Sequence, residues 1–233
     1  MSKLRLNITM TLDGYVAGPN QSLDDPLGEG GEDMHTWMYT LKTFREQSGQ
    51  EGGKMGTDDD VLKEMFANVG AVIMGRNMFY GGGRGGPWKG TEWKGWWGDN
   101  PPYHMPVFVL THHPREPQPM EGGTTFHFVT DGIESALQQA REAAGEKDVL
   151  VMGGARNAQQ YLAAGLIDEM DIHLSPVFLG AGERLFDNFN GSGLKLEQLR
   201  SIEGSGVTHL KYRVVKQGVS VGGREGAESP SKA

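Results

Sequence analysis

The chain contains no cysteine, which excludes disulfide bonds, thiolate nucleophiles and sulfur-ligated metal sites together. Positive charge is scarce as well. Its 22 Lys and Arg stand against 30 Asp and Glu, a formal net charge of -8, so the basic patches that bind nucleic acid or anionic membrane are not expected. No apolar run approaches the roughly 20 residues of a membrane-spanning helix. The opening Met1-Ser2-Lys3-Leu4-Arg5-Leu6-Asn7 moves directly into alternation, without the apolar core of a secretory signal. No G-x-G-x-x-G turn stands between a strand and a helix, and the phosphate loop G-x-x-x-x-G-K-[ST] is missing. Gly180-Ala181-Gly182 has Leu185 where the last glycine belongs, which argues against an ordinary dinucleotide-binding domain. His112 and His113 are adjacent and point apart on an extended chain, and no zinc-like spacing surrounds them, so no metal is expected. What these absences leave is a cytoplasmic protein with a small-molecule ligand, one domain over residues 1–216, and neither a nucleic-acid nor a membrane partner.

Glycine is abundant, with 36 residues, and two of its clusters follow short apolar runs. Val149-Leu150-Val151-Met152 leads into Gly153-Gly154-Ala155-Arg156 and then into a helical stretch closed by Gly165. Side-chain-free backbone at the end of a buried strand, followed by the unpaired N–H groups of a helix start, suits a phosphate or pyrophosphate. It also suits a tight turn with no ligand. Val69 to Met74, followed by Gly75-Arg76-Asn77, repeats the pattern. Pro106 to Leu110 makes a third strand that ends in polar residues, Thr111-His112-His113.

Elsewhere Leu4, Leu6, Ile8 and Met10 alternate as a strand with one more apolar face. Asp13-Gly14 and Gly18-Pro19 mark turns, and residues 20–31 read as a mobile loop. Met34, Trp37, Met38, Leu41 and Phe44 recur at helical spacing. Asp33 in the first turn of that helix either complements the dipole together with Glu32 or aims a carboxylate into a pocket. Thr57 with Asp58, Asp59 and Asp60 reads as a capped helix start, as does Asp131 with Glu134. Residues 81–103 are rich in glycine and carry Trp88, Trp93, Trp96 and Trp97. They are a lid, a subunit interface or a satellite aromatic cluster. His173 reads as a structural strand residue. Leu194 to Ile202 and Val207 to Val215 form an antiparallel hairpin around Gly204-Ser205-Gly206. From 217 to 233 the composition predicts a disordered tail. Strands alternating with helices predict an α/β fold of three layers, α/β/α, with a mostly parallel mixed sheet, the antiparallel hairpin at one edge, and ligands at the strands' carboxyl ends.

Taken in order, Thr9-Met10-Thr11-Leu12-Asp13-Gly14-Tyr15-Val16-Ala17, Met74-Gly75-Arg76-Asn77, Leu110-Thr111, Met152-Gly153-Gly154 and Pro176 to Phe186 resemble the dihydrofolate-reductase-like superfamily. More narrowly, they resemble the reductase (C-terminal) domain of RibD-type riboflavin-biosynthesis proteins. The resemblance runs from about Leu4 to Val215. It implies NADPH as cofactor, hydride transfer to a small nitrogen heterocycle or an imine, and a homodimer. It also implies that Gly75, Arg76 and Asn77 form a cofactor-phosphate turn, and that Thr111 and His112 lie beside the adenosine ribose. Gly153, Gly154, Ala155 and Arg156 then form the pyrophosphate turn, and Ala17 meets the nicotinamide amide through its backbone. Asp33 sits on the helix that carries the substrate-binding carboxylate in dihydrofolate reductases, although its spacing to Trp37 differs. NADPH is expected in preference to NADH. Arg76, Thr111, His112 and Arg115 can meet a 2′-phosphate, and no acidic residue follows a strand where it would grip a free ribose diol. The deaminase domain of bifunctional riboflavin enzymes has no counterpart here, and the tryptophan insert is a departure. Three readings stay open: a pyrimidine reductase of the riboflavin type, a pterin or dihydrofolate reductase, and a nucleotide-binding protein with little catalysis.

Overall fold

A computed structural model describes residues 2–80, 88, 93–188, 190 and 193–215. The expected tail from 217 and part of the tryptophan insert lie outside these residues. The strands are β1 (Leu4–Thr11), β2 (Tyr15–Ala17), β3 (Val69–Gly75), β4 (Pro106–Leu110), β5 (Gln118–Pro119), β6 (Thr125–Val129), β7 (Asp148–Met152), β8 (Glu169–Ser175), β9 (Glu183–Arg184), β10 (Lys195–Glu203) and β11 (Thr208–Val215). The helices are α1 (Thr36–Tyr39), α2 (Lys42–Gln47), α3 (Thr57–Phe66), α4 (Arg76–Phe79), α5 (Ile133–Ala144) and α6 (Ala155–Ala163). Nine strands form one sheet in the order β10-β11-β8-β1-β7-β3-β4-β6-β5. The six from β8 to β6 run parallel, while β5, β11 and β10 are antiparallel to their neighbours. This is the expected mixed sheet, with the hairpin β10–β11 at one edge.

The continuous apolar runs of β3 and β7 sit in the middle of the sheet because both of their faces are covered. Ile73, Val149 and Val151 pack with Ala136, Ala140, Ala158, Tyr161 and Leu162 of α5 and α6. Val72, Met74 and Leu150 pack on the opposite side with Trp37, Leu62 and Met65. Helix α6 closes as its sequence suggests: Gly165 takes φ 64°, and the Leu166 N–H reaches back to the Tyr161 carbonyl at 3.0 Å.

Three expectations change. The helix read from Asp33 to Phe44 is broken into a 3-10 turn (Asp33–His35), α1 and α2. Leu41 takes extended backbone and bridges to Lys54, whose N–H and C=O bind Thr40 and Lys42. Met34, Trp37 and Leu41 still reach the core, so the apolar spacing was met by segments. Neither acidic helix start is a side-chain cap. Gly56 and Gly132 occupy the N-cap positions, and Asp58 and Asp59 are buried cross-links instead. Asp59 accepts the Thr43 N–H at 2.7 Å and pairs with Lys63 at 3.0 Å. The loop of residues 20–31 is tied at its neck, where Gly18 N–H donates to the Leu27 carbonyl and Glu29 N–H to that of Pro19.

The alternation of β1 holds, but both of its faces are covered. Leu4, Leu6 and Ile8 enter the α5–α6 core, while Arg5, Asn7, Thr9 and Thr11 are buried on the other side. Glu169, Asp171, His173 and Ser175 of β8 and His209 of β11 are buried with them. A polar layer therefore lies between this half of the sheet and α3.

Candidate active site

Parallel neighbours end at the same edge, so the chain turns after β7, β3 and β4 are brought side by side there. Gly75 N–H donates to the Gly153 carbonyl at 3.0 Å, and Asn157 of α6 donates its side-chain amide to the same oxygen at 3.2 Å. A Cβ on Gly75 would meet that of Asn157 at 3.1 Å, so the two turns approach closely enough that a side chain at Gly75 would push on α6. The structure thus brings Gly75, Arg76 and Asn77 together with Gly153, Gly154, Ala155 and Arg156, and sets Thr111 and His112 in the turn that follows the neighbouring strand β4.

Two features of this edge fit an anionic, amide-bearing cofactor. Among the described residues the N–H groups of Ala155 and Arg156 find no acceptor, as the first turn of a helix leaves them. Space beside the Gly154 Cα is open to at least 4 Å. The buried Oδ1 of Asn157 also has no partner among the described residues, an acceptor that calls for a donor. Arg156 and His112 are exposed. The Thr111 hydroxyl accepts the His113 N–H at 3.1 Å.

The loop after β1 crosses this edge. Ala17 pairs with Glu183 and Tyr15 with Arg184, forming a two-stranded ribbon where the sequence predicts a turn and a loop. Asp13 is its clamp. Its carboxylate accepts the Thr11 hydroxyl at 2.6 Å, the Gly180 N–H at 2.7 Å and the Leu179 N–H at 3.2 Å. The Thr11 hydroxyl, followed by the Gly180 and Leu179 N–H groups, holds its pKa below the usual carboxylate value. Gln159 of α6 donates to the Arg184 carbonyl at 2.8 Å, so the ribbon and α6 are fastened to each other.

Arg76 is buried, with its guanidinium 4.6 Å from the Trp88 ring centroid and 4.9 Å from that of Tyr80. Burial lowers its pKa. Arg115 lies 5.2 Å from the Phe128 ring and donates to the Trp93 carbonyl at 2.7 Å. Of the three options for the tryptophans, the described ones form the aromatic cluster. Trp88 donates to the His113 carbonyl, Trp93 to that of Phe79, and Trp97 packs on Tyr103 and Phe126.

Asp33 stands exposed at the start of its 3-10 turn, and its carboxylate makes no hydrogen bond or ion pair among the described residues. Asp58 of α3, by contrast, reaches the buried side of the sheet and meets His209. His209, His173 and Asn7 complete a buried polar line across β1, β8 and β11. Sequence reading missed this line. The only signal was an acidic run after Thr57 that looked identical to a helix start. Among the described residues no group of His, Asp and Glu could hold a metal ion, and no helix is long and apolar enough to cross a membrane.

Residues 2–210 match the RibD C-terminal domain family. The uncharacterized protein YyaP of Bacillus subtilis is 33% identical over 218 residues, covering 90% of this chain and 94% of that protein. Among solved structures, a Shewanella sp. PV-4 protein assigned to riboflavin biosynthesis superposes with a TM-score of 0.57 at 22% identity, covering 92% of this chain and 99% of the other. Dihydrofolate reductase from Enterococcus faecalis, solved with NADP(H), superposes with a TM-score of 0.50 at 12% identity, covering 92% and 97%. The fold is dihydrofolate-reductase-like, and the chain belongs to the RibD C-terminal domain family.

Proposed function

We propose that this protein is an NADPH-dependent reductase that transfers a hydride to a small nitrogen heterocycle or imine, most like the 5-amino-6-(5-phosphoribosylamino)uracil reductase of riboflavin biosynthesis. The observation that carries the reading is the joining of the Gly75 and Gly153 turns at one sheet edge, with the open N-terminus of α6 beside them. In this reading the N–H groups of Ala155 and Arg156, with the Arg156 side chain, hold the pyrophosphate. Gly75, Arg76 and Asn77 hold the 2′-phosphate end, Thr111 and His112 flank the ribose, and the backbone of Ala17 meets the nicotinamide amide. NADPH, when bound, supplies the hydride. The protein supplies orientation and excludes water, through the Asp13-clamped ribbon over the edge. Asp33, on the accessible side, is assigned as the carboxylate that passes a proton to the reduced nitrogen through water.

The exposed edge strand β10, with Leu196 and Leu199 facing solvent, supports a homodimer, and a cytoplasmic location goes with this reading. The test is NADPH oxidation by the full chain with 5-amino-6-(5-phosphoribosylamino)uracil and, separately, with dihydrofolate. Turnover of the first is expected. Turnover of dihydrofolate alone makes it a pterin reductase, and NADPH binding without turnover on either makes it a nucleotide-binding protein. Retained turnover in Asp33→Asn removes Asp33 from the mechanism.

A further inference from the structure

Four side chains on the polar side of the sheet form an uninterrupted hydrogen-bonded line. Asp58 Oδ1 meets His209 Nε2 at 3.0 Å, His209 Nδ1 meets His173 Nδ1 at 2.7 Å, and His173 Nε2 meets Asn7 Nδ2 at 3.0 Å. All four residues are buried. The second Asp58 oxygen accepts the Ser205 N–H at 3.0 Å, and the Trp37 ring packs 5.1 Å from both imidazoles.

With both imidazoles neutral, the carboxylate end sets the direction of the line. A carboxylate only accepts, so His209 carries its hydrogen on Nε2, and a neutral ring then has a bare Nδ1. His173 fills that position with its own Nδ1–H, which leaves its Nε2 bare. Only the amide nitrogen of Asn7 can meet a bare ring nitrogen, so Asn7 Oδ1 is turned away from His173. Burial pushes the pKa of His173 down to about 3, with His209, His35 and Arg200 acting in the same direction, so this ring stays neutral. The other charges nearby, Arg5 and Asp171, face each other at 3.5 Å.

An amide does not carry protons onward, so the line acts as a lock and not as a proton route. What it locks lies beside the candidate site. Asn7 is in register with Met152, the last residue of β7 before Gly153-Gly154, and partners in register share a face of the sheet. We propose that Asn7 reads the heterocycle, offering Oδ1 and its second amide N–H to the N–H and C=O of a lactam edge. His173, His209 and Asp58 are positioning residues that hold the amide in that one orientation. The proposal rests on the reductase reading above and names its substrate class. A lactam meets a fixed amide with two hydrogen bonds, whereas N-methylation leaves the Asn7 oxygen buried without a donor.

The test has two arms on the full chain. In protein labelled with 15N-histidine at pH 7, long-range 1H–15N spectra report which ring nitrogen bears hydrogen. His209 is expected as the Nε2–H form and His173 as the Nδ1–H form, and both should invert in the Asn7→Asp, Asp58→Asn double variant, where the carboxylate has moved to the other end. In calorimetry, 5,6-diaminouracil should bind the wild type at least about tenfold more tightly than its N3-methyl derivative, and Asn7→Leu should abolish that difference while NADPH affinity stays within about twofold. Opposite tautomers, a cationic imidazole in the wild type, no binding of 5,6-diaminouracil, or discrimination retained in Asn7→Leu would each overturn the proposal. Failure of NADPH to bind the wild type overturns the reductase reading alone, and the tautomer spectra still decide the lock.

Discussion

The N–H of Gly75 donates to the carbonyl of Gly153 at 3.0 Å, so two turns that are 78 positions apart in the chain behave as one piece of the sheet edge. Whatever binds at the start of α6 is therefore held against the end of β3, and the exposed Arg156 stands at that start.

Arg156→Glu separates binding from stability. An acidic residue in the first turn of α6 complements the helix dipole, worth about 0.3–1 kcal/mol at a surface site, so the melting temperature should stay level or rise slightly. The same change sets a negative charge against the pyrophosphate, and NADPH affinity should fall at least about tenfold. Calorimetric titration beside a thermal melt checks both signs. Unchanged NADPH affinity would detach α6 from the pyrophosphate.

Trp93→Phe tests the reading of the aromatic insert as packing. The substitution removes the indole N–H that donates to the Phe79 carbonyl at 2.8 Å, and leaving that carbonyl unmet costs about 1–3 kcal/mol. For a chain of this size the melting temperature should drop by roughly 2–10 °C, with turnover at 25 °C unaffected. A variant that melts normally but turns over slowly would make Trp93 part of the site.

Asp13 gives the account its acid limb. Its carboxyl pKa is lower in the folded chain than in the unfolded one, chiefly through the Thr11 hydroxyl and then the Gly180 and Leu179 N–H groups. The stabilisation is therefore present above the unfolded carboxylate value and is lost as pH falls through the lower folded value. Wild type should lose stability progressively below about pH 4, and Asp13→Asn should show a shallower acid limb. Parallel limbs for the two proteins in a melting series from pH 6 to pH 2.5 would show that the clamp contributes nothing.

Much of the sheet was legible in the sequence, because β3, β7 and β4 are short apolar runs bounded by glycine or polar residues, and the hairpin β10–β11 has its turn at Gly204-Ser205-Gly206. Those same boundaries placed the strand-end turns correctly. The helix expected from Asp33 onward failed because Leu41 is drawn into a bridge with Lys54, and no local pattern announces that pairing. The polar layer escaped notice for a related reason. Arg5, Asn7 and Thr9 read as the less apolar face of the strand, and α3 and Trp37, arriving from elsewhere, bury them. Asn7 and His173 lie 166 positions apart, and Asp58 was masked by an acidic run that periodicity assigns to helix capping. The ribbon of β2 and β9 is too short to show alternation.

NADPH and NADH titrations of the wild type and Arg76→Ala test the central claim, that this sheet edge binds the phosphorylated cofactor, most directly. Arg76 keeps its charge at working pH and can grip phosphate with two parallel hydrogen bonds, and losing such a contact costs about 1.5–3 kcal/mol. Wild type should prefer NADPH, and Arg76→Ala should weaken NADPH roughly ten- to hundredfold while weakening NADH less. An equal loss for both cofactors would move Arg76 to the pyrophosphate. Equal wild-type affinities for NADPH and NADH, or no binding of either, would contradict the account.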